Sequence, residues 1–99
     1  MKVVEIRFTN GNKPTKAFAD LELENGLIIK DIKVIQQPGQ RAWVALPQMS
    51  WKDPSDVQIK YRVLVTAPPP LKGEIDVCVL SAWSREKQEQ QNAKADLQR

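Results

Sequence analysis

The sequence predicts an α+β domain: a small antiparallel sheet of about five strands in a meander, followed by one C-terminal helix packed on one sheet face. Three observations predict it. Apolar and polar residues alternate through successive short segments between residues 2 and 65. An Asn25-Gly26 pair separates two of those segments, and a tight hairpin turn needs the positive φ that Asn and Gly tolerate. After Pro68-Pro69-Pro70 the apolar period changes from two to three and four.

The elements follow in order. Residues 2–9 alternate, with Val4, Ile6 and Phe8 opposite Glu5, Arg7 and Thr9, the pattern of a half-buried strand. Asn10-Gly11-Asn12 and Pro14 then turn the chain. Residues 17–24 place Ala17, Ala19, Leu21 and Leu23 on one face. Residues 27–35 carry Leu27, Ile29 and Ile35 on one side and Ile28, Ile32 and Val34 on the other. Both sides of that strand need cover, so one helix is not enough. Residues 41–46 form a short strand stopped by Pro47, and residues 47–56 read as a loop. Residues 57–65 alternate again, with Val57, Ile59, Tyr61, Val63 and Val65 on a core-facing side and Gln58, Lys60 and Arg62 outside. From Leu71 onward Leu71, Ile75, Cys78, Val79 and Ala82 line one helical face, with Trp83 beside them. Residues 1–84 read as one domain and 85–99 as a polar, helical or frayed tail.

Composition narrows the function. The 99 residues form one domain with a thin core. Net charge is +3. Residues 25–66 carry the excess, with Lys30, Lys33, Arg41, Lys52, Lys60 and Arg62 against Asp31, Asp53 and Asp56, a balance compatible with a polyanion. The chain has no histidine and one cysteine. That removes most acid–base, metal and thiol chemistry, so neither an enzyme nor a cofactor is expected. Cys78 reads as a buried structural thiol, and Asp53 and Asp56 as loop and turn carboxylates rather than a cation site. The lone cysteine, the charged N-terminus and the lack of a long apolar stretch lead to an expectation of a cytoplasmic protein without membrane contact.

Ala17-Phe18-Ala19-Asp20-Leu21-Glu22-Leu23, Ile29-Lys30-Asp31-Ile32-Lys33-Val34-Ile35 and Trp43-Val44-Ala45-Leu46-Pro47 together resemble the SpoVG family, the stage V sporulation or septation protein G regulators. The likeness covers residues 1–47 well and runs more loosely to about residue 85. It implies a bacterial or phage regulator that binds DNA and RNA as a homodimer, with no small-molecule substrate. The family's Ser-Lys-Arg-Thr stretch after Met-Pro has no counterpart here, because Met49 and Ser50 stand where Lys and Arg are expected.

The nucleic-acid candidates are Lys52, Lys60, Arg62 and Lys72 for phosphate, with Trp51 for stacking on an unpaired base. Lys60 and Arg62 share a strand face. Leu27, Ile29, Ile35 and Trp43 are the expected dimer contacts. The alternative is a protein-interaction module of the same fold that has lost strong nucleic-acid binding.

Overall fold

The computed structural model describes residues 1–52, 54–55 and 58–97, and the side chains of those up to Gln90. Asp53, Asp56 and Val57 lie outside the described residues. The architecture is α+β. Strands β1 (Lys2–Phe8), β2 (Thr15–Glu22), β3 (Ile28–Ile35) and β4 (Trp43–Ala45) form an antiparallel sheet in sequential order. Strands β5 (Gln48–Lys52) and β6 (Ile59–Val63) form a separate antiparallel hairpin. Helix α1 (Pro69–Leu97) follows.

The strands-then-helix order matches the sequence pattern, and one helix covers one sheet face. Residues 48–52, expected as loop, are a strand. The described residues therefore make six strands in two sheets instead of about five in one.

The core lies between the sheet and the first half of α1. Ala17, Ala19, Leu21, Ile32, Val34 and Val44 from the sheet pack against Ile75, Val79 and Trp83. Small alanines on β2 let the helix approach, and the branched residues of β3 fill the space beside them. α1 begins inside the proline run, where missing N–H groups cost nothing because the first helical N–H groups lack partners anyway. Cys78 is half-buried at the margin, its thiol donating to the Met1 carbonyl oxygen at 3.9 Å. Beyond Trp83, residues Ser84 to Gln90 are exposed. Among the described residues no helix is long and apolar enough to cross a membrane.

Of three register irregularities in the described sheet, one of them at Lys16 between Thr15 and Ala17, two redistribute the faces of β1 and β3 that plain alternation assigns. In β1, Val3 pairs with Leu21 and Glu5 with Asp20, so Val4 is an extra residue. This bulge turns Val3, Ile6 and Phe8 toward the core and leaves Val4 46% exposed. In β3, Ile29 pairs with Leu21 and Ile32 with Ala19, so Lys30 and Asp31 together face Asp20. Asp31 takes φ +61°, a left-handed conformation that aspartate tolerates better than bulky residues. The extra residue puts Ile29, Ile32 and Val34 on the same, helix-facing side. The strand therefore does not carry its aliphatics evenly on both faces, as uninterrupted alternation predicts.

A polar clamp holds the β3 bulge. Arg7 donates to both carboxylate oxygens of Asp20 at 3.1 Å and to Oδ1 of Asp31 at 2.6 Å. The Asp31 N–H donates to Asp20 Oδ1 at 3.1 Å. Glu5 Oε2 adds a 3.1 Å ion pair to Arg7. The hydrogen bonds from Arg7, aided by the Asp31 N–H and opposed by burial, hold the Asp20 carboxyl below the usual range, because they stabilise its charged form.

Candidate nucleic-acid interface

The β5–β6 hairpin stands away from the body. Among the described residues its strands contact each other and no other element. The radius of gyration is 15.7 Å, with extents of 56 × 36 × 23 Å. A compact chain of this length has a radius near 13 Å, so the hairpin and the long helix extend the molecule well past a globule. A backbone hydrogen bond closes the hairpin base: the Leu64 N–H donates to the Pro47 carbonyl at 3.1 Å.

Its register sorts the candidate residues. Met49 pairs with Arg62 and Trp51 with Lys60. Directly opposed residues share a face of an antiparallel pair. One face therefore carries two cations, a tryptophan and a methionine. Trp51 is 42% exposed. The opposite face carries Ile59, Tyr61 and Val63 across from Lys52, Ser50 and Gln48. Tyr61 is 62% exposed and its two neighbours nearly as much, so the residues expected in the core lie on a bare apolar surface instead.

The structure thus brings Trp51, Lys60 and Arg62 together and separates the other two candidates. Lys52 projects to the apolar side, opposite Ile59. Lys72 belongs to the body: its Nζ donates to the Val44 carbonyl oxygen at 3.0 Å and pairs with Asp76 Oδ1 at 2.5 Å. It ties the start of α1 to β4 rather than facing a ligand. Met49, marked in the sequence only as standing where a family cation is expected, joins the face as well. The signal was present, since Met49 and Trp51 alternate with Gln48, Ser50 and Lys52, but a five-residue run between prolines reads equally well as loop.

The expected dimer contacts also divide. Ile35 and Trp43 are paired neighbours on the sheet face that α1 leaves uncovered, and Trp43 is 51% exposed there. Leu27 is exposed at the other end of β3, beside the β2–β3 turn. It lies eight positions before Trp43's partner, Ile35, a span of about 26 Å at the usual rise per residue. Ile29 packs on the core. These four residues do not form one patch.

Among the described residues no group of three or more histidine, cysteine or carboxylate side chains could hold a metal ion. The glutamate and aspartates around Arg7 serve the bulge. What the hairpin offers chemically is a polyanion contact on one face and apolar burial on the other. No family model, curated protein or solved structure matches this chain.

Proposed function

We propose that this chain is a non-enzymatic nucleic-acid-binding protein that acts as a homodimer, using the Trp51–Lys60–Arg62 face of its hairpin on single-stranded DNA or RNA. The observation that carries the reading is the register pairing Trp51 with Lys60 and Met49 with Arg62 on one face of a projecting hairpin. Alternating cation and aromatic groups suit an unpaired strand: lysine and arginine neutralise phosphates, while an exposed tryptophan stacks on any base. Such a face reads few base edges, so sequence selectivity is low. The likeness of residues 1–47 to SpoVG regulators supports the same function.

The homodimer rests on the opposite face. A lone two-stranded hairpin is marginally stable in water, and this one exposes Ile59, Tyr61 and Val63 together. A second copy that covers this face stabilises both arms and presents two basic faces at once, which raises avidity. The same apolar face favours a second reading, a module that docks another protein.

Fluorescence anisotropy with labelled single-stranded DNA and RNA tests the proposal. Binding is expected to weaken steeply between low and physiological salt. Replacing Lys60 and Arg62 by alanine is expected to reduce the log–log salt slope by about 1–2. Trp51→Ala is expected to lose about 1–3 kcal/mol of binding. No binding at low salt, with partners in a nuclease-treated pull-down, leaves the protein-docking reading instead. Light scattering at micromolar concentration separately tests the dimer, and a mass of one chain removes it.

A further inference from the structure

A second site lies on the body of the molecule. Where the end of β1 meets α1, a groove of about 420 Å³ opens, within the size range of small-ligand sites. Phe8 and Trp83 give it aromatic surface, Lys16 and Lys87 give it charge, and Gln36 and Gln90 give it amides. Three other surface grooves, beside the β1 edge and around Glu24, each include a glutamate. This one has two cations and no carboxylate in its lining.

The second observation is an unpartnered donor. Trp83 is 8% exposed, and its buried indole Nε1 has no hydrogen-bond acceptor. Buried donors in native proteins are nearly always satisfied, so an orphan needs an explanation. Above the same ring sits the Lys87 ammonium, 4.9 Å from the centroid. Lys87 is otherwise exposed, and a long lysine side chain moves readily. Lys87 can therefore swing from the ring face toward an anion in the groove that Trp83 also lines.

We propose that this groove binds a nucleoside 5′-phosphate, free or at the end of a strand. The phosphate sits between Lys16 and Lys87, whose ammonium groups donate charge-assisted hydrogen bonds, stronger than neutral ones. The base lies along Phe8 and Trp83. Gln36, whose Nε2 already donates to the Gln40 carbonyl at 3.1 Å, offers its Oε1 to the base edge, and Gln90 offers its amide. A ligand oxygen or ring nitrogen accepts the Trp83 N–H. The site shares no residue with the hairpin, so it stands or falls independently of the function proposed above.

The test is a titration of the whole chain with adenosine 5′-monophosphate, read in proton–nitrogen correlation spectra. The Trp83 indole N–H is assigned through bonds, so no Trp83 variant has to fold. The expected result is a saturable downfield movement of that resonance. Exchanging both Lys16 and Lys87 for alanine is expected to weaken binding about tenfold or more, whereas the Lys60/Arg62 double variant leaves it unchanged. A response to a 5′-phosphorylated oligonucleotide, and not to its unphosphorylated twin, identifies a strand end as ligand; a response to the mononucleotide alone identifies the free compound. Either supports the site. A resonance that stays still at millimolar nucleotide, that moves equally with inorganic phosphate, or that is indifferent to loss of both lysines overturns it.

Discussion

The four-stranded sheet and the β5–β6 hairpin are written in the same sequence language and end in opposite environments. Ala17, Ala19 and Leu21 alternate with Phe18 and Asp20 on the other face and are fully buried. Ile59, Tyr61 and Val63 alternate with Lys60 and Arg62 in the same way, yet all are exposed. Alternation specifies an extended strand with one apolar face. It does not supply the element that covers that face. For β1 to β4 the covering element is the Leu71–Trp83 part of α1. For the hairpin it is no part of the described chain, which is why this arm is the natural place for a partner.

The largest expected effect that sharpens the contrast is in core truncation. Ile32→Ala is expected to cost about 2–5 kcal/mol in denaturant unfolding. Ile59→Ala, of identical chemistry, is expected to stay within about 0.5 kcal/mol for the monomer and to show its loss only as a concentration-dependent midpoint if a dimer covers it. Equal losses in dilute monomer would break the comparison.

Next comes the clamp that assigns the faces of β3. Asp20→Asn weakens its bonds to Arg7, with an expected cost of about 1–3 kcal/mol. Its pH dependence has a definite sign. The folded Asp20 carboxyl titrates below its unfolded value, so its contribution is full above the unfolded pKa of about 4 and is lost as pH falls through the lower, folded pKa. Urea midpoints measured from neutral pH downward should fall in the parent and fall less in Asp20→Asn. Parallel curves for the two proteins would mean that the clamp does not hold the fold.

Lys72→Met removes a donor to Val44 and a partner of Asp76. With the ammonium partly exposed, the expected loss is about 1 kcal/mol of stability, and affinity for single-stranded DNA is expected to be unchanged. A drop in affinity without a loss of stability would return Lys72 to the nucleic-acid face. An effect of similar size belongs to Gly26, which sits at φ +89° with open space where a Cβ would stand. Gly26→Ala is expected to cost about 1 kcal/mol by thermal unfolding, from backbone conformation alone.

Much of the body was legible because local rules agreed with each other. The Asn25-Gly26 turn, the alanine and leucine face of β2, and the triple proline before an amphipathic run each point to one structure. The faces of β1 and β3 were not legible. Their bulges at Val4 and at Lys30-Asp31 answer to pairing across strands, and a single extra residue reverses every side chain that follows. In the candidate interface, Lys60 and Arg62 were readable as neighbours. Trp51 joined them only through a strand partner nine residues distant in the chain, and Lys72 left them because β4 lay within its reach.

By itself the sequence determined that strands precede a single helix, where β1 to β3 turn, and which residues are able to form a core, because those depend on backbone preferences and periodicity along a few neighbouring positions. The tertiary structure decided which apolar faces found cover, how the Arg7 clamp set the sides of β3, and that one hairpin projects with cations and tryptophan on a shared face. Those outcomes depend on distances between segments far apart in the chain, and alternation carries no record of such distances.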